Sequence, residues 1–511
     1  MAVLLTKYKL VYSLMIIVFA LPLLLITNDL WDGAMVAYGF RTDDLSGIRG
    51  IYFESGWHLQ YYLYQIVYTI SSYIGIKEAL ILKIITILSV IGISKEVKSL
   101  SLNTFKMSEK MGYISGYLVL LFPAWFVLVS NVLFFHVLCI YSLLLGYRLV
   151  MIRRQYVVGF FLILLSLQLE SNYMLIIGLI FSNYFLEKNK ISRIHFSHLI
   201  LSIIALIFLF ILNQNIFGAY GIYGINEGYN QLQFNTSSIK ILIGHIINFI
   251  IFILVLITIP LFIFLWNFKD AFNRDDGIKY LMLFLLIICA IFPYAALGKS
   301  PGLFDFYDWI YRQAFLLSVP IPILIAFLYS RIDASKVSKQ QIFFNIALTF
   351  ILFFSFLYTG FSYKLSSDFY QKAIVHSLKK INQPPAGIIG LNLKSDQISD
   401  YLTQIRWYEY NSLFHKAFGE ANWMISSIKR NELNEIFLLT HTQKQVLSNK
   451  SLRIRYVAKY AHPNCKTVIE INQKKDLDFL DILTDRHEDV FDFAIIQSEG
   501  LSCSIRASIF H

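Results

Sequence analysis

Runs of about 20 apolar residues recur along this chain, and each is long enough to cross the hydrocarbon core of a bilayer as a helix. They lie near residues 10–27, 78–94, 112–129, 131–150, 197–214, 241–267, 279–297, 313–331 and 342–362. A 511-residue chain that is 57% hydrophobic and only 15% charged, with 44 Phe and 32 Tyr, cannot hide that surface in a water-soluble core of ordinary proportions. The sequence therefore reads as a polytopic α-helical membrane protein. Two shorter runs, 156–169 and 172–186, flank Glu170-Ser171-Asn172. They read either as a hairpin of two short spans or as one long span interrupted by an acid.

Basic residues set the orientation, because Lys and Arg gather in cytoplasmic loops. The clusters are Lys95, Lys98, Lys106 and Lys110; Arg148, Arg153 and Arg154; Lys188, Lys190 and Arg193; Lys269, Arg274 and Lys279; and Arg331, Lys336 and Lys339. With a cytoplasmic amino terminus they share one side only if 156–186 crosses twice and 59–76 does not cross. The expectation is about 11 spans, with the carboxyl terminus outside. The first span follows Lys7 and Lys9 as a signal peptide would, but no small-residue cleavage pattern follows it, so it reads as an uncleaved helix.

Residues 28–77 then form a large first outer loop. Within it Gln60-Tyr61-Tyr62-Leu63-Tyr64-Gln65-Ile66-Val67-Tyr68 is aromatic and amphipathic, the pattern of a helix lying in the headgroup plane. Loops 215–240 and 298–312 fall on the same side. After Ser362 the composition becomes that of a soluble protein. We read 1–362 as the transmembrane domain and 363–511 as an extracytoplasmic domain, α/β or α+β, entered through Gln383-Pro384-Pro385. Its expected elements include a strand at 388–391, a helix over 395–407 and a strand at 491–497. Cys465 and Cys503 could pair there in an oxidising compartment.

The formal charge of +11 does not signal nucleic acid. Many of the excess basic residues sit in short loops on one side, where topology and anionic lipid account for them. No zinc spacing, phosphate loop, dinucleotide fingerprint or internal repeat stands out.

Acids are placed where the first span surfaces, in Thr27-Asn28-Asp29-Leu30-Trp31-Asp32-Gly33. At such a place an acid binds a cation, takes a proton or caps a helix. The segment that follows adds Gly56-Trp57-His58-Leu59-Gln60-Tyr61-Tyr62-Leu63, then Gly75-Ile76-Lys77-Glu78 leading to Lys83, then Leu121-Phe122-Pro123-Ala124, with Tyr311-Arg312 at a late loop-to-helix junction. Over roughly 10–330 this order resembles the GT-C glycosyltransferases, the class that includes the protein mannosyltransferases and the lipid A aminoarabinose transferase. Two departures stand out: the family often has His-Pro-Pro where this chain has His58-Leu59-Gln60, and an Arg where it has Lys83. They leave the sugar and the acceptor unassigned.

The resemblance implies a GT-C-like fold with juxtamembrane helices in the first outer loop. It also implies inverting transfer of a sugar from a polyprenyl-phosphate-linked donor to a glycan, lipid or protein acceptor on the outer face. The setting would be a bacterial inner membrane. Such a reaction needs a carboxylate to take the proton of the attacking hydroxyl, and a cation to stabilise the departing phosphate. Asp29 is the first candidate base and Asp32 the second. Arg312, beside Tyr311, is the phosphate candidate, with Lys299 a further one. Arg41, Arg49, Glu54 and His58 are candidates for holding the sugar or the phosphate. Asp29 and Asp32, three apart, could share Mg²⁺ or Mn²⁺ with phosphate oxygens, although some of the class work without metal.

Plainer roles compete with each of these. Asp29 and Asp32 would serve as helix caps, His58 as a headgroup-level polar residue and Arg312 as an interfacial anchor. Glu170, costly in lipid, would mark the outer tip of its hairpin. Three other classes also compete: a transporter or flippase of lipid-linked saccharides, a polymerase using the same substrates, and a non-catalytic membrane scaffold. A transporter would show ionisable residues or broken helices within spans, and the sequence shows few.

Overall fold

A segment in hydrocarbon must satisfy its own backbone hydrogen bonds, so the apolar runs wind into helices. In the computed structural model the described residues are 2–26, 30, 33–34, 36–37, 49, 52–53, 56–169, 171–186, 204, 207–208, 211, 236–266, 274–301, 306, 309–332, 337–380, 387–393, 407–419, 423–427, 454–462, 467–473, 490–497 and 503–509. The helices are α1 (Ala2–Leu25), α2 (His58–Ile74), α3 (Glu78–Asn103), α4 (Glu109–Leu120), α5 (Phe134–Met151), α6 (Tyr156–Ser166), α7 (Ser171–Leu186), α8 (Thr236–Trp266), α9 (Arg274–Ala295), α10 (Pro320–Ser330), α11 (Lys339–Lys379) and α12 (Trp407–Phe418). Stretches of 3-10 helix cover Pro123–Val129, Asn131–Leu133 and Trp309–Ser318.

Among the described residues four helices are long and apolar enough to cross a membrane, or six if each of two bent pairs is one span. The chain is a helical integral membrane protein. Its exposed faces carry Leu14, Ile17 and Leu21 on α1 and Ile351 and Phe354 on α11, side chains suited to hydrocarbon rather than water.

The chain divides into two compact units: Met1–Leu24, Leu80–Leu128 and Leu133–Ser362 form one, and Leu25–Ala79, Val129–Val132 and Tyr363–His511 the other. Residues 25–79 are thus grouped with the carboxyl-terminal part.

In the first unit, α4 meets the 3-10 stretch Pro123–Val129 at a 42° bend, and Trp309–Ser318 meets α10 at 49°. These are two bends of the kind that a transporter reading looks for. Pro123 and Pro320 supply the physical reason, since proline has no N–H to donate and its ring clashes with the preceding turn. The stretch after the first bend forms the core: Trp125 and Phe126 are fully buried, and the Trp125 indole donates to the Val119 carbonyl at 2.6 Å.

Close packing elsewhere depends on small residues. A Cβ at Gly146 of α5 would lie 2.7 Å from the Gly159 carbonyl oxygen of α6. Hydroxyls act as polar glue: Tyr12 reaches Ser94 at 3.0 Å, and Ser94 donates to the Gly116 carbonyl at 2.6 Å.

The structure corrects the reading of Lys95 and Lys98, expected in a loop but carried on the last turns of α3. Helical hydrogen bonding continues past the apolar run because the charges find partners. Arg148 pairs with buried Glu96 at 2.6 Å, and the Lys98 ammonium sits 3.3 Å over the Tyr113 ring. Asp276 pairs with Arg331 in the same manner.

In the second unit, β1 (Gly387–Leu393), β2 (Trp423–Ser427), β4 (Thr467–Gln473) and β5 (Phe491–Gln497) form a sheet in the order β2-β1-β4-β5. The first two pairings are parallel and β4–β5 is antiparallel. A separate antiparallel ladder joins β3 (Ile454–His462) to β6 (Cys503–Ile509). The end of α11 is tied to β5 by Ser377, which donates to the Phe491 carbonyl at 3.2 Å. The helix expected over 395–407 lies outside the described residues except for Trp407, where α12 begins. Cys465 and Glu170 also lie outside them, so neither the pairing with Cys503 nor the hairpin tip is described.

Candidate functional site

Of the first-loop candidates, Arg49 and His58 are described and belong to the second unit. Asp29, Asp32, Arg41 and Glu54 lie outside the described residues. The described residues between and after them make the following contacts. Leu30 is buried, and its carbonyl accepts from the Ser130 hydroxyl at 3.0 Å. A Cβ at Gly33 would come within 3.3 Å of the Asn131 backbone nitrogen. The same short segment receives α2: the Gln60 amide donates to the Val132 carbonyl at 2.9 Å, and the Tyr64 hydroxyl to that of Asn131 at 3.0 Å. Gln60 is fully buried and its Oε1 has no hydrogen-bond partner among the described residues.

At the start of α2 the structure joins two candidates through an aromatic ring. The Arg49 guanidinium lies 4.9 Å over Phe53, and Phe53 meets the His58 imidazole edge-on at 4.2 Å. Burial pushes the His58 pKa below its ordinary value, opposed by a hydrogen bond to the Phe53 backbone. The imidazole is thereby held neutral to a lower pH than in water. α2 ends where Gly75 takes a left-handed conformation at φ 67°, which glycine adopts without a Cβ clash.

The remaining candidates lie in the first unit, and two of them come together. After α9, Gly298 turns the chain at φ +67°, and the Lys299 N–H donates to the Tyr294 carbonyl at 3.0 Å. This cap fixes Lys299 within electrostatic reach of Arg312, and Arg312 in turn acts on His136 and Tyr294. Burial first, and the Arg312 charge second, hold the Lys299 ammonium below the ordinary lysine pKa.

Around these groups the Tyr294 hydroxyl reaches Ser171 at 3.4 Å. Next to Lys299, Ser300 contacts His245 Nδ1 at 2.8 Å and accepts from the Asn248 amide at 3.1 Å. Around Arg312 this polar cluster draws on the start of α5, the end of α9 and the turn after it; Ser171 of α7 joins through Tyr294, and His245 and Asn248, well inside α8, join through Ser300.

No family model, curated protein or solved structure matches the chain. A functional reading therefore rests on the residues and their geometry.

Tyr311 does not join its neighbour Arg312 in this cluster. It is fully buried among Phe126 (5.0 Å), Phe306 (5.9 Å) and Phe252 (6.0 Å), where it anchors the stretch that presents Arg312. Sequence reasoning missed His136, Tyr294, His245 and Asn248. Each is one polar residue in an apolar run. His136 did carry a signal, because an ionisable side chain inside a span is costly and is kept for function or for a satisfied network. Among the described residues no group of three His, Cys, Asp or Glu side chains could hold a metal, and Asp29 and Asp32 lie outside that set.

Proposed function

We propose that the chain is a GT-C-type integral membrane glycosyltransferase. It moves a sugar from a polyprenyl-phosphate-linked donor to a glycan, lipid or protein acceptor on the outer face of a bacterial inner membrane. In this reading about 11 spans place the amino terminus in the cytoplasm, and 363–511 is an extracytoplasmic α/β or α+β domain. What supports it is that Lys299, whose backbone N–H is capped on Tyr294, lies within electrostatic reach of Arg312, whose charge also acts on His136 and Tyr294.

The acceptor hydroxyl attacks the anomeric carbon as its proton passes to a carboxylate, for which Asp29 is the first choice and Asp32 the second. The bond from that carbon to the donor phosphate oxygen breaks, and its electron pair leaves with the polyprenyl phosphate. Charge grows on that phosphate in the transition state, so cations fixed beforehand lower the barrier. Arg312 and Lys299 fill this role. A Mg²⁺ or Mn²⁺ ion, with Asp29 and Asp32 as ligands, would add to the same compensation. Arg49 and His58, joined through Phe53, are assigned to holding the sugar.

The test is transfer of radiolabelled sugar from a panel of polyprenyl-phosphate sugars, using membranes that contain wild type or Asp29→Asn. Turnover that collapses in the folded variant supports the reading with Asp29 as base. Equal turnover moves the base to Asp32 or elsewhere, and no turnover with any donor defeats the proposal. The two bent spans favour one second reading, a flippase of lipid-linked sugars. It expects labelled donor to change leaflet in reconstituted vesicles with no product formed.

A pH dependence follows from Lys299. Its pKa is lowered, so the ammonium loses its proton as pH rises earlier than the roughly 10.4 of a solvated lysine. We expect kcat/KM for the donor, which reports free-enzyme groups, to fall on the alkaline side beginning below that value. Lys299→Arg, which stays charged, should remove the fall, whereas an unchanged profile would exclude Lys299 from donor binding.

A further inference from the structure

At the other end of the bent helix pair that begins near Arg312, the helices of the first unit line a half-open cavity of about 810 Å³. That volume lies in the ~300–1,000 Å³ range of sites for small molecules. Its lining divides by chemistry. Lys106, Lys110, Arg331 and Lys339 contribute the cations, while Met15 of α1, Ile114 and Tyr117 of α4, and Ile346 and Phe350 of α11 make the rest mainly apolar. Among the described residues no carboxylate lines it.

The cations differ in how they are held. Lys106, Lys110 and Lys339 are exposed and form no ion pair among the described residues. Arg331 is fixed in advance by its pair with Asp276 and by stacking 5.1 Å over Phe327. Its Nε–H is buried and has no acceptor among the described residues.

Backbone groups favour the same sign of ligand. α4 begins here at its Ser108 cap, and α11 begins here with Ser338 and Gln341 bonded reciprocally at 3.1 Å. Both helices therefore turn the positive ends of their dipoles toward this region. Lys106 itself has φ 54°, a left-handed conformation that costs a lysine energy and that glycine or asparagine would adopt more readily.

We propose that this cavity binds a membrane phospholipid with an anionic headgroup. Its phosphate is held by Lys106, Lys110, Lys339 and Arg331, and an acyl chain lies along α1 and α11. Charge complementarity selects the headgroup, since basic pockets between membrane helices hold anionic lipids in this way. The apolar walls of Met15, Ile346 and Phe350 select an amphiphile over a free anion. This inference is independent of the transfer reaction and would stand if that reading failed.

The test is lipid retention by the purified full-length protein, measured by native mass spectrometry after exchange into mixed phosphatidylglycerol and phosphatidylcholine. Wild type should keep phosphatidylglycerol at least about tenfold over phosphatidylcholine. Lys106→Ala/Lys110→Ala/Lys339→Ala changes exposed residues, so its fold is spared; each lost cation should weaken the preference by about fivefold. Ala347→Trp fills the apolar slot with all charges kept, and should reduce retention of both lipids. Equal retention of the two lipids by wild type would overturn the proposal, as would an unchanged preference in the triple variant. So would displacement of phosphatidylglycerol by millimolar inorganic phosphate with Ala347→Trp behaving as wild type, because the site would then recognise the phosphate alone.

Discussion

Arg312→Ala should lower sugar transfer by about 10²–10³, the loss expected when one fixed donor to developing charge is removed. Most of the loss should appear in kcat, because the phosphate gains its charge as the bond to the sugar breaks and the ground state feels the arginine less. Arg312→Lys should recover part of the rate but not all of it, since an ammonium restores the charge without the planar fork that grips two oxygens. The assay is single-turnover transfer in membranes, with the variant's folding checked by size-exclusion chromatography. A role confined to anchoring the 309–318 stretch at the interface predicts something different: Lys would restore full activity, and Ala would reduce the amount of folded protein rather than its kcat. Equal kcat in wild type and Arg312→Ala would remove Arg312 from the site.

The second large effect is structural. Gly146→Val should destabilise the first unit by about 1–3 kcal/mol or more, the range for forcing bulk into a packed interior. Its Cβ would meet the Gly159 carbonyl oxygen at 2.7 Å and the Ile163 side chain at 2.9 Å, and the first of these is backbone, which cannot rotate away. α5 and α6 would have to separate, losing dispersion contacts along their shared face. Gly244→Ala is the matched control, because a Cβ there meets nothing within 4 Å. Thermal unfolding followed by intrinsic fluorescence in detergent should show an early transition for Gly146→Val and a normal one for Gly244→Ala. Equal transitions would mean that the two helices are not packed this closely.

What the sequence made legible was periodic or compositional. The apolar runs marked α5, α8, α9 and the first part of α11, which continues to Lys379 beyond the run's end at 362, and the aromatic, amphipathic pattern after Trp57 marked α2 to within a few residues. The strand expected at 491–497 is β5 residue for residue, and that at 388–391 lies inside β1. What stayed hidden depends on neighbours distant in the chain. Leu121-Phe122-Pro123 reads as part of an uninterrupted apolar run, because hydropathy is blind to the missing proline N–H that breaks it. The end of α3 was placed too early, because a fall in hydropathy marks the edge of hydrocarbon and not the end of a helix. At the site, Lys299 and Arg312 were named separately. That they act on one another follows from the cap at Gly298 and from the way buried Tyr311 seats the 309–318 stretch, and neither is written in a local pattern. The parallel pairing of β1 with β2 and β4 was equally out of reach, since strand order is set by contacts rather than by alternation.

Wound as 3-10 rather than α helix, the 10 residues Trp309–Ser318 advance about 2.0 Å each, and the 11 residues of α10 about 1.5 Å each. The path along the bent pair is therefore roughly 37 Å, where α geometry throughout would give roughly 32 Å. Set against a hydrocarbon core about 30 Å thick, the tighter winding supplies the length that a 49° bend takes away. Counted as one span, the pair would hold Arg312 near one water-facing surface and Arg331 near the other. Rewinding the first segment as α helix would shorten its reach by about 5 Å and draw one of the two guanidinium groups into lipid.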